Sequence, residues 1–201
     1  MVALPFSIMT KPIGSRCNID CKYCYYLEKE KLYPDEKKFR MSDEVLERYI
    51  RETIEAAQMA AMPEVSFAWQ GGEPTLLGLD YFCKIVSLQH KYAPQGLPIY
   101  NALQTNGMLL DDSWGLFLAE HGFLTGLSID GPKAVHDRYR VDRAGRPTFD
   151  AVMRGLDVLQ RNGVAHNALT TVHRANGTKG KAIYRFLKGL GLEHIQFIPI
   201  V

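Results

Sequence analysis

Apolar positions along this chain follow two rhythms that alternate from one end to the other. Short apolar runs bounded by Gly, Pro and polar residues predict strands, and apolar residues three and four apart predict helices. A first strand is expected over Leu4 to Thr10. Ser42 then reads as a helix N-cap, with Asp43 and Glu44 suited to a helix N-terminus, and Val45, Leu46, Tyr49, Ile50 and Ile54 follow at helical spacing. Val65 to Trp69 reads as a strand, Leu79 to Tyr92 as a helix ending near Pro94, and Ile99 to Gln104 as a strand. Asp111 to His121 predicts a helix stopped by Gly122, and Leu124 to Ile129 a strand. Thr148 reads as the cap of a helix running to about Asn162, before Gly163. A strand over Val164 to Val172, a helix over Lys179 to Leu190 closed by Gly191, and a strand over Ile195 to Ile200 complete the series.

Six strands alternating with five helices predict βαβ units, hence an α/β fold on a parallel sheet. Six such strands suit an open, curved sheet, a partial (β/α)6 TIM-like barrel; the pattern alone also allows a flat doubly wound sheet. In both, ligands sit at the C-terminal ends of the strands. The unusual segments of this chain fall at those ends. A cysteine loop follows the first strand, Gln70-Gly71-Gly72-Glu73-Pro74 the second and Gln104-Thr105-Asn106-Gly107 the third, while Ser128-Ile129-Asp130-Gly131-Pro132 ends the fourth. All of them would meet on one rim.

Composition narrows the classes only a little. With 201 residues, 46% hydrophobic and 23% charged, the chain is an ordinary globular one, read as one domain over 1–201. A net charge of +2 gives no argument for a nucleic-acid or membrane partner. Lys37, Lys38 and Arg40 lie beside Asp35 and Glu36, as on a solvated face. No apolar run is long enough to span a bilayer, and Pro5, Lys11 and Pro12 interrupt the N-terminus where a secretory signal would be continuous. A cytoplasmic, reducing location is the expectation, and there clustered cysteines suggest metal before disulfides.

Three of the four cysteines lie in Cys17-Asn18-Ile19-Asp20-Cys21-Lys22-Tyr23-Cys24, a C-x3-C-x2-C spacing. A compact loop turns thiolates at this spacing toward one centre. A structural zinc site takes four ligands, and no fourth Cys or His is nearby. Cys83, inside a predicted helix, reads as a small buried hydrophobe. Complete ligation of a four-iron cluster takes four thiolates, so three leave one iron open to a substrate or cofactor. The competing reading is a zinc knuckle with a distant fourth ligand, in a non-catalytic interaction module. Gly71-Gly72 is too short for a P-loop, and no G-x-x-x-x-G-K-[ST] match exists.

The triad after a first strand, with Tyr23 before its last cysteine, and Gly71-Gly72-Glu73-Pro74 after the second strand resemble the radical S-adenosylmethionine (SAM) superfamily. More narrowly, Cys21 to Lys29, Trp69 to Leu76, Leu103 to Gly107, Gly126 to Pro132 and Gln196 to Pro199 resemble the anaerobic sulfatase-maturing enzymes. The resemblance covers essentially the whole chain. It implies that Cys17, Cys21 and Cys24 hold a [4Fe–4S] cluster whose fourth iron takes SAM. It also implies SAM contacts from Tyr23, Gly71, Gly72, Ser128, Arg140 and the backbone of Val201. Gly71 and Gly72 would admit close approach to the methionyl amine. Tyr26 and Gln70, with Gln104 and Asn106, would face a substrate peptide.

The reaction implied is oxidation of a sulfatase cysteine or serine to Cα-formylglycine, with an electron donor such as flavodoxin or ferredoxin. Other SPASM-type peptide modifiers share several of these segments. The family's cysteine-rich C-terminal SPASM region, with its auxiliary clusters, is not found in this chain, which has only Cys83 after Cys24. Blander readings stand beside these. The tyrosines could simply cover apolar area, Asp130-Gly131-Pro132 is an ordinary turn sequence, Arg140 lies in a charged stretch that could be solvated, and His166 and His173 read as structural.

Overall fold

The computed structural model describes residues 6–35 and 39–200. Leu4, Pro5, Lys37, Lys38 and Val201 lie outside the described residues. The elements are β1 (Ile8–Thr10), β2 (Ile19–Cys21), α1 (Asp43–Met59), β3 (Val65–Trp69), α2 (Leu79–Tyr92), β4 (Ile99–Thr105) and α3 (Asp112–Glu120). They continue with β5 (Leu124–Ser128), α4 (Lys133–His136), β6 (Arg140–Asp142), α5 (Phe149–Arg161), β7 (His166–Val172), α6 (Gly180–Gly189) and β8 (Ile195–Pro199). Two 3-10 turns, Leu27–Leu32 and Pro74–Leu77, lie in the connections after β2 and β3.

Six strands form one parallel sheet in the order β1-β3-β4-β5-β7-β8. Spatial order follows chain order without reversal. A doubly wound sheet reverses at a switch point, so this is the winding of an open, partial barrel. The register aligns the C-terminal ends: Thr10 lies beside Trp69, Trp69 beside Leu103, Thr105 beside Leu127 and Ser128 beside Leu169. The loops after these strands therefore share one rim.

The core lies between the sheet and its helices. Leu46, Ile50, Ile54 and Ala57 of α1 and Phe82 and Ile85 of α2 are buried in one cluster with Val65, Phe67 and Trp69 of β3. The rings of Phe67 and Trp69 stack at 5.8 Å, with Tyr49 edge-on to both. Trp69 Nε1 donates to Asn101 Oδ1 at 2.8 Å, and Gln89 and Asn101 exchange amide hydrogen bonds at 2.9 Å. The Trp69, Gln89 and Asn101 side chains inside this apolar layer are thus paired, as burial requires, while the hydroxyls of Tyr49 and Tyr81 have no partner among the described residues.

Two expectations need correction, and one pairing had no expectation. Cys83 is exposed. Phe82, Ile85, Val86 and Gln89 form the inward stripe of α2, and Cys83 falls one step past it. Thr148 does not cap α5 with its side chain. Asp137 Oδ1 accepts from the Thr148 and Phe149 amides instead, at 3.0 and 2.8 Å, while the Thr148 hydroxyl donates to Arg140 O. The antiparallel pair β2–β6 was not expected. Each strand has three residues, with charged Asp20, Arg140 and Asp142 among them, too short and too polar for a strand pattern.

Candidate active site on the rim of the sheet

The cysteine loop is held from two sides. On one side β2 pairs with β6, which places Cys21 opposite Arg140. Lys22 N donates to Tyr139 O at 2.9 Å, and Arg143 Nε donates to Cys17 O at 2.7 Å. On the other side the loop presses on the glycines after β3. Gly72 N donates to Gly14 O at 2.7 Å and Glu73 N to Arg16 O at 2.9 Å. A Cβ on Gly72 would lie 1.9 Å from Arg16 O, and one on Gly71 2.8 Å from Gly14 O. The space freed by these glycines is filled by this chain's own backbone. This packing requires glycine at both positions whatever else their backbone meets, and both also line the cavity described below.

Glu73 ties the next strand to this loop. Its buried carboxylate accepts from Thr75 N and Oγ1, from Thr105 Oγ1 at 2.7 Å and from Asn106 N at 2.7 Å. Burial pushes the Glu73 carboxyl up, and those donors oppose it. Asn106 in turn donates to Asn18 Oδ1 at 2.7 Å. Both amide hydrogens of Asn106 are directed at the cysteine loop.

A cavity of about 210 Å³ opens between these loops. Cys17, Cys21, Cys24, Tyr23, Tyr26, Gln70, Gly71, Gly72, Ser128 and Arg140 all line it, as do Lys11, Glu73, Gln104, Asn106 and Thr171. The structure thus brings every candidate site residue within the described region to one cavity; Val201 lies outside that region. Lys11 Nζ sits 4.0 Å above the Tyr26 ring, placing a cation at the cavity wall. Among the described residues no group of three or more His, Cys, Asp or Glu side chains is gathered closely enough to hold a single metal ion.

Although Arg138 and Arg143 of the same stretch are exposed, Arg140 is buried and so is not part of a solvated face. Its Nε lies 3.1 Å from Asp130 Oδ2, and its Nη1 lies 3.9 Å from Cys21 Sγ. The Nε contact has ion-pair distance without hydrogen-bond alignment. Tyr23 donates to the same carboxylate oxygen at 2.6 Å, Thr171 N donates to Oδ1 at 3.1 Å, and His173 Nε2 lies 3.4 Å from Oδ2. Burial alone would raise the Asp130 carboxyl. The Arg140 charge and the contacts from His173 and Tyr23 together outweigh it and hold the group well below the usual carboxylate range. Burial likewise pushes the thiols up, Cys17 to about 12 and Cys21 to about 11, with Arg140 pulling the second down.

His136 extends this network. Asp130 N donates to its Nδ1 at 3.4 Å, which leaves the ring proton on Nε2, 3.2 Å from Thr148 Oγ1. Burial, then the Arg140 charge, pushes the imidazole down to about 3. The unfolded chain takes up this proton near 6.5 and the folded chain only near 3, so stability falls with falling pH inside that window. At pH 4 the loss is ~3 kcal/mol. Glu73 titrates in the opposite sense, so the measurement is a difference. Urea unfolding at pH 7 and pH 4 is expected to show His136→Gln losing about 2–3 kcal/mol less on acidification than the wild type. An equal loss in both proteins would refute the assignment.

Asp130, Glu73, Arg143 and His136 were not singled out as site residues from the sequence. Position just after a strand end was the available signal for Asp130 and Glu73. Arg143 and His136 reach the site only through β6 and α4, which the sequence pattern did not reveal.

Comparison with known proteins agrees with this geometry. The sequence model of the Radical SAM superfamily matches residues 12–196. The chain is 45% identical over 199 residues to a serine-type anaerobic sulfatase-maturating enzyme of Bacteroides thetaiotaomicron, covering 99% of this chain and 47% of that protein. It is 40% identical over 194 residues to a cysteine-type anaerobic sulfatase-maturating enzyme of Clostridium perfringens, covering 96% of this chain and 51% of that protein. The chain therefore spans about half the length of the curated relatives it matches. The structure of native anSMEcpe with bound AdoMet and Cp18Cys peptide superposes with a TM-score of 0.88 at 39% identity, over 98% of this chain and 52% of that one. SuiB of Streptococcus suis shares the fold, at a TM-score of 0.67 and 15% identity. With its family model matched across nearly its full length, the chain belongs to the radical SAM superfamily.

Proposed function

We propose that this chain is the radical-generating part of an anaerobic sulfatase-maturating enzyme, acting on a serine or cysteine side chain of a sulfatase polypeptide to give Cα-formylglycine. The observation that carries the reading is the meeting of three free thiols with the Gln70–Glu73 loop and Arg140 in one cavity on the sheet rim. The relatives and the peptide-bearing neighbour supply the substrate class.

The residues present fit a [4Fe–4S] cluster. Cys17, Cys21 and Cys24 would hold it, and two buried nitrogen donors, Asn106 Nδ2 and Arg140 Nη1, lie 3.8 and 3.9 Å from the Cys17 and Cys21 sulfurs. As free thiols these two cysteines keep their protons at neutral pH, and ligation to metal removes them. When bound, the cluster and SAM supply a 5′-deoxyadenosyl radical with methionine as coproduct. The chain's own part is to orient and to enclose. Arg140, a cation facing the cavity, suits the SAM carboxylate, although its Nε side is already turned to Asp130. All four of Ser128, Tyr23, Tyr26 and Gln70 line the cavity, and the family resemblance supports Ser128 and Tyr23 toward the nucleoside and Tyr26 and Gln70 toward the peptide side chain. Net oxidation of the side chain sends one hydrogen atom to the radical, one proton to a base and one electron to an acceptor; serine gives the aldehyde directly, whereas cysteine gives a thioaldehyde that water hydrolyses with release of hydrogen sulfide. Flavodoxin or ferredoxin is the class of donor for the initiating electron. The free cysteines suit a reducing cytoplasm; no described helix is long and apolar enough to cross a membrane.

The test is anaerobic reconstitution with iron and sulfide, then dithionite and SAM, with 5′-deoxyadenosine followed by chromatography beside a Cys24→Ala control. The expected result is product from the wild type and none from the variant. Peptides carrying the target serine or cysteine are then assayed for formylglycine by mass spectrometry. Tight zinc without sulfide, or a full cluster without SAM cleavage, would overturn the proposal.

A further inference from the structure

We propose that Asn106 is a positioning residue whose side-chain amide sets the reduction potential of the cluster through the sulfur of Cys17, an inference that rests on the cluster reading above. Asn106 follows β4 directly and is buried. Its backbone amide is anchored to Glu73 Oε2 at 2.7 Å. Its Oδ1 accepts from Met108 N at 3.0 Å, which fixes the orientation of the amide: a flipped group would face one N–H with another. The two Nδ2 hydrogens must then point the other way. One reaches Asn18 Oδ1 at 2.7 Å and the other Cys17 Sγ at 3.8 Å.

Ligation of Cys17 decides what this arrangement does. As a thiol, Cys17 directs its own S–H toward Asn18 Oδ1, 3.8 Å away. As a ligating thiolate it has no proton to give and becomes an acceptor only. Asn106 is then its side-chain hydrogen-bond donor among the described residues. Reduction adds negative charge to an iron–sulfur centre, and a donor at a ligating sulfur stabilises that charge, which raises the potential. Burial strengthens the effect, because water does not screen the amide dipole there. Asn18 sits on the far side of the same amide and holds it without donating to sulfur. The geometry therefore separates donor from support.

Wild type, Asn106→Ser and Asn18→Ala are reconstituted anaerobically, assayed for iron and sulfide, and titrated with dithionite under EPR detection. Serine is too short to reach the sulfur yet can still accept from Met108 N in the same turn. Asn106→Ser is expected to hold a full cluster. At the wild-type midpoint its ratio of reduced to oxidised cluster is expected to fall about tenfold, equal to ~59 mV for a one-electron couple. Asn18→Ala is expected to change that ratio by less than about twofold, since the donor to sulfur remains. A ratio for Asn106→Ser equal to wild type would overturn the proposal. So would an equal shift in Asn18→Ala, which would make the loop tie responsible, or loss of iron from Asn106→Ser, which would make Asn106 a retention residue. A wild type that takes up no iron and sulfide would remove the cluster reading itself, an outcome recognisable before any titration.

Discussion

Gly72→Ala is expected to give a chain that keeps its sheet yet takes up less than about a tenth of the wild-type iron, because nothing near the new methyl group can yield cheaply. The atoms it would meet are Arg16 O at 1.9 Å, Arg16 C at 2.4 Å and Ser15 O at 2.6 Å, all backbone. A flexible side chain would swing aside; a backbone must be displaced. The displaced segment carries two hydrogen bonds, Gly72 N to Gly14 O and Glu73 N to Arg16 O, and the next residue is Cys17. Losing both costs about 1–3 kcal/mol, before any strain is counted. Displacement of Cys17 relative to Cys21, which β6 holds separately, would separate the ligands of one centre. Gly78→Ala is the control. Its φ of +81° with ψ of 162° lies in a region essentially confined to glycine, so it should cost about 1–3 kcal/mol in backbone strain; no atom lies within 4 Å of the added carbon, so iron uptake should be unchanged. The measurements are iron per chain after reconstitution and the urea midpoint. Full iron in Gly72→Ala would mean that the cysteine loop does not depend on this contact.

That contact also shows where sequence reading ends. The six strands of the sheet, five of its helices and the convergence of four loops on one rim were legible because each rests on local signals: apolar period, caps, and Gly at helix ends. Ser42 does cap α1, accepting from Val45 N, and Gly122, Gly163 and Gly191 do take positive φ after their helices. The site's residue types were legible because chemistry concentrated in the turns after strands. The reasons for those residues were less so. Gly72 is glycine because segment 14–16, more than fifty positions away in the chain, crosses it. Arg140 is buried because a three-residue strand pairs with the cysteine loop, and neither strand has enough apolar residues to announce itself. Asp130 looked like a turn residue, and its partners Tyr23, Arg140 and His173 come from three other stretches of chain. Local patterns predict elements; long-range polar pairing is written in no window of the sequence.

Asp130→Asn is the second substitution expected to have a large effect, and it tests that pairing directly. The change is nearly isosteric, so packing stays while the charge goes. Arg140 would then be a buried cation without its counter-ion, and breaking a buried pair from one side costs about 3–5 kcal/mol. The new amide also fits badly. With its oxygen toward Thr171 N, its NH2 faces the Arg140 Nε–H donor against donor, and the Tyr23 hydroxyl loses its acceptor and must turn to accept instead. The wild-type carboxyl is depressed below its ordinary 3.8, so the contribution of the pair is fully present above that value and is lost only as pH falls through the lower folded one. The deficit of Asp130→Asn should therefore be undiminished between pH 7 and pH 5. Adding Arg140→Gln removes the stranded cation, and the double variant is expected to be more stable than Asp130→Asn by about 1–3 kcal/mol, the sign of coupling that a double-mutant cycle isolates. SAM cleavage should not return with it, because Arg140 Nη1 is the nitrogen beside Cys21 Sγ. Stability regained while turnover stays lost would separate the two duties of Arg140, holding the fold and facing the cavity. Strict additivity of the two substitutions would show instead that Asp130 and Arg140 do not act as a pair.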